Sequence, residues 1–449
     1  LTPDIDSRCI KSEFKALAKV EGSPLVIVKK LPGLSRIKRG LDALTFKINK
    51  TEPPVTVSFP SFQINDSGNQ VSLGVSFSGT DRVPPTFNNK EITAIKNIFK
   101  APWLGYGGKV KEFENKFSKF IGSKYTVGLN SCTAALHLAL AACKFKKGSK
   151  FIAPTYTFAS TVEVGEYLGL KPILVDCTVG SYNIDLNEVE KLLKNDKKIV
   201  AVLPVHFAGY PLNLKVLNKI CLKHNTFLIE DAAHGLETIS NVGKVGSTKF
   251  ASAFSFYANK NITTGGEGGA LATNNDKLAN LVRKLSLHGM SKDGWNRFQY
   301  KKKWAYDISE LGFKYNMSDV SASFGLNQLD KVNTWLKKRS KIAKMYKEGL
   351  SDIEGIVLPK QPQNGTHAWH LFVILINENK WKINRNLIIE KLNSVGIGTS
   401  VHYISIHMHT FYKNKYKFKL EDFPIATHYS KSVISLPIYP ALLNKEIKY

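Results

Sequence analysis

The sequence predicts an α/β protein, with a large domain holding a mostly parallel sheet between helices and a smaller α+β C-terminal domain. Two observations predict this. From about residue 84, short apolar runs alternate with segments of helical length, which calls for parallel strands with helices on both faces of the sheet. After a long helical stretch, Ser318 to Leu350, the pattern changes to strand-like runs near Ala368 to Asn377 and Thr399 to Tyr403. The expected division is an N-terminal segment of unknown role, 1–83, a large domain, 84–330, and a small domain, 331–449.

The N-terminal segment offers a short helix from Lys11 to Val20 and a strand-like run from Pro24 to Lys29. Val55, Val57 and Phe59, and then Val71 to Phe77, alternate with polar residues as in half-exposed strands. It carries no chemical motif and reads as a small accessory domain or the tail of an upstream one. Helices are expected over Asn89 to Phe99 and over Val110 to Phe120, where Val110, Phe113, Phe117 and Phe120 share a face. Strand Tyr125 to Leu129 precedes an Ala/Leu-rich helix ending near Cys143. Phe151 to Ala153, Pro172 to Asp176, Ile199 to Val205 and Phe227 to Ile229 read as strands. The helices between them are Phe158 to Leu168, Asp185 to Leu193 and Leu214 to His224. In such folds functional groups sit at the carboxyl ends of the strands. The chain does not begin with Met, and Asn444 to Tyr449 reads as a helix just beginning, so both ends are expected to be cut.

A chain of 449 residues is too long for one core, and 43% hydrophobic residues can bury a large one. The net charge is +27; residues 1–90 hold 13 basic and 8 acidic residues, the remainder 50 and 28. That excess suits a nucleic acid, an acidic membrane surface or a small anionic substrate such as a diphosphate, and equally a solvated lysine-rich surface. No RRM, zinc-finger or helix-turn-helix signature is present, so nucleic-acid binding is not expected. The five cysteines, Cys9, Cys132, Cys143, Cys177 and Cys221, form no CxxC pair, and their odd count fits a reducing cytoplasm. No metal ligand set is expected, and no apolar run approaches the roughly 20 residues that cross a bilayer.

Three segments carry chemistry. The first runs from Ala253 to Gly269, with Lys260 after a short strand, Ala251 to Phe256, and before the turn Thr263-Thr264-Gly265-Gly266-Glu267-Gly268-Gly269. A lysine amine bonds an aldehyde cofactor only if it is held in place and sheds its proton. The glycine turn permits close backbone approach and N–H contacts to an anion, and Ser255 can donate to a phosphate. Read alone, Lys260 is equally a surface lysine beside a loop. The second is Glu230-Asp231-Ala232-Ala233-His234. A carboxylate at a strand's end can keep a pyridine nitrogen protonated, or it can cap a following helix. His234 can bond near the cofactor's ring oxygen or be a satisfied core histidine. The third is Asn130-Ser131-Cys132-Thr133-Ala134, a strand-to-helix turn that makes an anion site or a plain N-cap. Their order in the chain, phosphate cup, then Asp, then Lys, is the order that pyridoxal phosphate (PLP) enzymes of fold type I use.

With these residues in view the chain resembles the DegT/StrS-type PLP-dependent sugar aminotransferases, from about Pro84 nearly to the C-terminus. The resemblance is carried by Gly105-Tyr106-Gly107-Gly108, the Thr133 cup, Pro154-Thr155-Tyr156-Thr157-Phe158, Pro204-Val205-His206, the Asp231 and Lys260 segments, and His288-Gly289-Met290. It continues through Gly312-Phe313-Lys314-Tyr315-Asn316-Met317 and Ser435-Leu436-Pro437. The combination of the Phe254 to Thr263 segment, the Gly312 to Met317 segment and His367-Ala368-Trp369-His370-Leu371-Phe372 leans toward the members that make 4-amino-4-deoxy sugars, of the 4-amino-arabinose type.

The resemblance implies that Lys260 is the Schiff-base lysine and proton shuttle, that Asp231 faces the pyridine nitrogen and that Phe158 stacks on the ring. It implies further cofactor contacts from Thr133, Ala134, His234 and Ser255, with Thr133 and Ser255 at the phosphate. His402 lies where relatives contact substrate, and Lys314 or Asn316 reaches the phosphate site of a partner subunit in a homodimer with interfacial active sites. Two departures stand out: the glycine turn is one Gly longer than the common form, and Gly-Phe-Lys-Tyr-Asn replaces the frequent Gly-Tyr-Asn-Tyr-Arg. The expected reaction moves an amino group from an amino acid, glutamate above others, to a nucleotide-linked keto sugar. The rivals are a sugar dehydratase of the same family, which carries His where Lys260 stands, and a catalytically silent nucleotide-sugar-binding regulator.

Overall fold

A computed structural model describes residues 27–28, 46–47, 87–101, 103–248, 251–291 and 306–449. The chain divides into two compact units, Leu1–Pro84 and Pro85–Tyr449. In the first, Ile27–Val28 pairs antiparallel with Phe46–Lys47, within the Pro24 to Lys29 run. The expected Lys11 helix and the alternating runs at Val55 and Val71 lie outside the described residues.

The second unit is built on a seven-stranded sheet. Its strands are β1 (Tyr125–Leu129), β2 (Lys150–Pro154), β3 (Lys171–Val175), β4 (Ile199–Val202), β5 (Phe227–Asp231), β6 (Ala251–Ser255) and β7 (Gly269–Thr273), in spatial order β1-β7-β6-β5-β4-β2-β3. The pairs from β6 across to β3 are parallel. Strand β7 runs antiparallel to both β6 and β1. Sequence reading did not separate β7 from the glycine turn before it. The turn folds the chain straight back, so no crossover helix marks the strand.

Side-chain alternation assigns each helix its face of this sheet. Helix α1 spans Asn89–Ile98 and α2 spans Gly108–Ile121. On β6, Phe254 points toward α2, as does Phe256 just beyond it, and their rings meet Phe113 and Phe117 at centroid distances of 5.2–5.4 Å. Burying each of these rings stabilises the fold by about 1.5–3 kcal/mol. The α2 face is completed by Val110 and Ile121, with Phe120 half-buried at its edge, packed against the same cluster and under the Lys244 ammonium. The odd positions of β6, Ala251 and Ala253, are small and admit the Ala/Leu-rich helix α3 (Cys132–Ala142) to the other face. Helices α4 (Ser160–Tyr167), α5 (Leu186–Asn195) and α6 (Leu214–Lys223) supply the remaining crossovers, and α7 (Asp276–Leu285) follows β7.

The expected single helical stretch after Ser318 is two helices, α8 (Asp319–Leu329) and α9 (Val332–Leu350). The chain turns between them, where Lys331 N–H donates to Gln328 O at 3.0 Å. Beyond them lies a three-stranded antiparallel sheet, β8 (Ile356–Val357), β9 (Phe372–Ile376) and β10 (Val433–Leu436). Trp369, Phe372, Ile374 and Ile434 form its apolar cluster with Ile342 of α9. Thr399 to Tyr403 is not a strand. Ser400 alone bridges to Ser435, and the segment then leaves the sheet because its polar groups are taken by Tyr156 and Ser435. Among the described residues no helix is long and apolar enough to cross a membrane.

Candidate active site

Register brings the predicted residues to one end and one face of the large sheet. Asp231 pairs with Ala253, Ser255 with Gly269, and Gly269 with Leu129. The carboxyl ends of β1 and β6 thus share a row with the start of β7, and Asp231 ends β5 level with Ala253, two residues back from it. Asp231, Ser255 and Gly269 have the side-chain parity that faces α3.

Helix α3 begins two residues beyond β1. Ser131 is its N-cap, and its Oγ accepts the Ala134 N–H at 3.0 Å, which leaves the N–H groups of Cys132 and Thr133 at the open end of the helix dipole. Gly269 allows this end to press against the sheet: a Cβ there would stand 2.2 Å from the Ser131 carbonyl carbon and 2.5 Å from Cys132 N. The half-buried hydroxyls of Thr133 and Ser255 flank the gap. Helix end, close strand and two hydroxyls make a cradle that fits a phosphate. The segment after Gly312 also reaches it, since Asn130 N–H donates to Tyr315 O at 2.8 Å and Asn316 bridges Leu129. The Lys314 side chain is exposed to solvent.

No helix follows Asp231. Its Oδ2 accepts the Thr161 hydroxyl at 2.7 Å and its Oδ1 the Ala233 N–H at 3.1 Å, while Thr161 is itself paired with Thr157. Burial raises the carboxyl above its usual value, against the pull of Thr161, Ala233 N–H, Lys260 and His206. A buried carboxylate held this way fits a protonated ring nitrogen, whose charge would relieve the burial penalty.

Lys260 lies on the turn after β6, where its backbone N–H donates to Tyr257 O at 3.0 Å. Its charge acts on Cys132, Asp231, His234, His370 and His402. Burial first, and then neighbouring positive charge, pushes His234 and His370 well below the usual imidazole value and His402 down to about 3. The three imidazoles are therefore neutral, and their hydrogen bonds assign protons. His234 Nδ1 accepts the Ala208 N–H at 3.2 Å, so Nε2 carries the proton and donates to the Tyr403 hydroxyl at 3.0 Å. His402 Nδ1 meets Ser435 Oγ at 2.9 Å. The buried Tyr156 hydroxyl donates to His402 O and accepts the Tyr403 N–H, fixing both residues beside the site.

Phe158 is 60% exposed and its ring lies 5.9 Å from that of Tyr403. An open aromatic face in this setting fits a planar ring, which would cover it. The structure thus gathers Lys260, Asp231, His234, His402, Phe158, Ser255, Thr133 and Ala134, and leaves the Lys314 side chain in solvent. Sequence reading missed Thr161, Tyr156, Tyr403, Asn261 and His370 as parts of the site. Adjacency to Lys260 and His402 was the available signal for Asn261 and Tyr403. Among the described residues no group of His, Cys, Asp or Glu could hold a metal ion.

Residues 85–449 match the DegT/DnrJ/EryC1/StrS aminotransferase family. The uncharacterized protein MJ1066 of Methanocaldococcus jannaschii is 41% identical over 363 residues, 81% of this chain and 93% of that protein. The spore coat polysaccharide biosynthesis protein SpsC of Bacillus subtilis is 39% identical over 364 residues, again 81% and 93%. Spr1654 of Streptococcus pneumoniae, solved in its PLP form, superposes with a TM-score of 0.74 at 28% identity, covering 81% of this chain and 95% of that one. The chain belongs to the DegT/DnrJ/EryC1/StrS family and is a PLP-dependent sugar aminotransferase of fold type I.

Proposed function

We propose that this enzyme moves the amino group of an amino acid, glutamate above others, onto a nucleotide-linked keto sugar, to make an amino sugar for a glycan or polysaccharide. The observation that carries the reading is the meeting, at one end of the sheet, of the buried Asp231 carboxylate held by Thr161, the anion cradle that Gly269 opens at the start of α3, and the Lys260 turn. The name of SpsC supports the polysaccharide end of it. The large positive charge, +27, suits a diphosphate-bearing substrate.

Bound PLP supplies an electron sink for the carbon that gains or loses the amine. The residues of this chain do the rest. Thr133, Ala134 and Ser255 hold the phosphate at the α3 end, and Phe158 stacks on the ring. Asp231 keeps the ring nitrogen protonated, and His234 stands near the ring oxygen. Lys260 anchors the cofactor and its Nζ takes the proton from the donor's α-carbon. His402 contacts the sugar. The active form is a cytoplasmic homodimer with sites at the interface. Tyr306, Ile308 and Leu311, all exposed, give a second copy an apolar surface, and Leu311 is 92% exposed. Lys314, whose side chain is exposed, is assigned to the partner's site in this reading.

The test is a panel of keto nucleotide sugars incubated with glutamate and read by mass spectrometry, on the wild type and on Lys260→Ala. The variant is expected to lose the visible absorbance of bound cofactor and all turnover. Full activity in Lys260→Ala would overturn the reading.

A further inference from the structure

Behind Lys260 runs a buried polar chain that the roles above leave unused. Glu237 and Arg339 are each 2% exposed and Asn261 and His370 each 5%. The Asn261 Nδ2 group faces Glu237 Oε2 and, at 3.4 Å, Ala368 O. An amide oxygen in that position would oppose a carboxylate oxygen and a carbonyl oxygen, so the NH2 belongs there and Asn261 Oδ1 turns to His370. His370 Nδ1 lies 3.0 Å from that oxygen, which can only accept, so Nδ1 bears the proton. The imidazole is neutral, and its Nε2 is left with a lone pair. Its ring lies 4.3 Å from that of His234, whose proton is on Nε2. The two neighbouring imidazoles thus hold opposite tautomers, one a donor and one an acceptor at Nε2.

Glu237 is an unusual residue to bury here. Its Oε1 has no hydrogen-bond partner among the described residues, and neither has Nε of Arg339. Arg339, on α9, spends its Nη1 on Trp369 O and Ile438 O at 3.3 and 2.8 Å, and acts on Glu237 by charge alone. Burial pushes the Glu237 carboxyl up to about 7, against the opposing charge of Arg339. A core that needed only filling would not keep such a group.

We infer that Glu237 is a positioning residue: through the amide of Asn261 it fixes the Nδ1–H tautomer of His370, so that the pocket around Lys260 contains a neutral acceptor nitrogen beside the donor nitrogen of His234. The O–H and N–H groups of a sugar or an amino acid are the chemistry that such a nitrogen takes. This deepens, and rests on, the proposal that the pocket receives those ligands.

The experiment is nitrogen NMR on enzyme saturated with PLP, labelled with 15N in its histidine rings, at pH 8, with the His370 signals assigned by their loss in His370→Gln. The wild type is expected to show a protonated Nδ1 and a bare Nε2 at His370. In Glu237→Gln the new carboxamide lets Asn261 turn over, and the proton is expected to shift to Nε2. The double variant Glu237→Gln with Asn261→Asp restores an acceptor facing Nδ1, and the wild-type pattern is expected to return. A wild-type His370 protonated on Nε2 overturns the inference without any variant, and so does a Glu237→Gln spectrum that keeps the wild-type tautomer. A double variant that fails to restore it also overturns the inference. The readout needs no turnover, so it can fail while Lys260→Ala behaves as proposed, and the reverse.

Discussion

Replacing Gly269 by alanine tests the cofactor cradle where the fold is tightest. The added Cβ would stand 2.2 Å from the Ser131 carbonyl carbon, where carbon contacts rest at about 3.5 Å or more. Both partners are backbone, one the sheet and the other the start of α3, so no flexible side chain can give way. The helix end must retreat by roughly 1 Å. Overpacking of this kind costs about 1–3 kcal/mol of stability. The retreat also draws the Cys132 and Thr133 N–H groups away from Ser255 and the phosphate between them. Losing one hydrogen bond to a charged group weakens binding by about 1.5–3 kcal/mol, or roughly 10- to 150-fold in Kd. The assay is a titration of cofactor-free enzyme with PLP followed by visible absorbance, alongside thermal unfolding. Gly349→Ala on α9 is the control, since an added Cβ there meets nothing within 4 Å. A Gly269→Ala enzyme that binds PLP as the wild type does and melts at the same temperature would refute the cradle.

Asp231→Asn is expected to reduce turnover at least about 100-fold while leaving the cofactor-free protein as stable or more so, because burial already works against the charge of this carboxylate; turnover and thermal melts without PLP check both halves. Tyr156→Phe removes the hydroxyl that holds His402 O and Tyr403 N, which is expected to cost about 1–3 kcal/mol in urea unfolding and to raise KM for the sugar. His367 is buried, with its Nδ1 accepting the Trp369 N–H at 2.9 Å, and burial pushes it down to about 3. Its unfolded value is about 6.5, so as pH falls the unfolded chain takes the proton first. The stability is complete above pH 6.5 and drains away between 6.5 and 3, by about 2 kcal/mol at pH 5 from this group alone; urea midpoints that do not fall between pH 7.5 and 5 would contradict it.

The large domain was legible because two periods were clean. Apolar strands bounded by helical segments gave the parallel part of the sheet nearly residue by residue. What failed did so where a period was short or shared. Strand β7 disappeared into its own glycine turn, and Thr399 to Tyr403 read as a strand although only Ser400 pairs with a strand backbone and the hydrogen bonds of His402 and Tyr403 go to side chains.

The site divides along a different line. Lys260, Asp231, Ser255 and Thr133 sit next to strand ends, and strand ends can be counted, so their meeting at one end of the sheet was legible once the strand order was known. His370 and Glu237 gave no such mark. Each lies in a loop, more than a hundred residues from the other, and what joins them is the direction in which one buried amide points. That direction follows from acceptors contributed by Glu237 and by the carbonyl of Ala368, and a carbonyl has no letter in the sequence. A residue that binds a cofactor can be found by its position on a strand, but a residue that decides where a proton sits can be found only when every hydrogen bond around it is known.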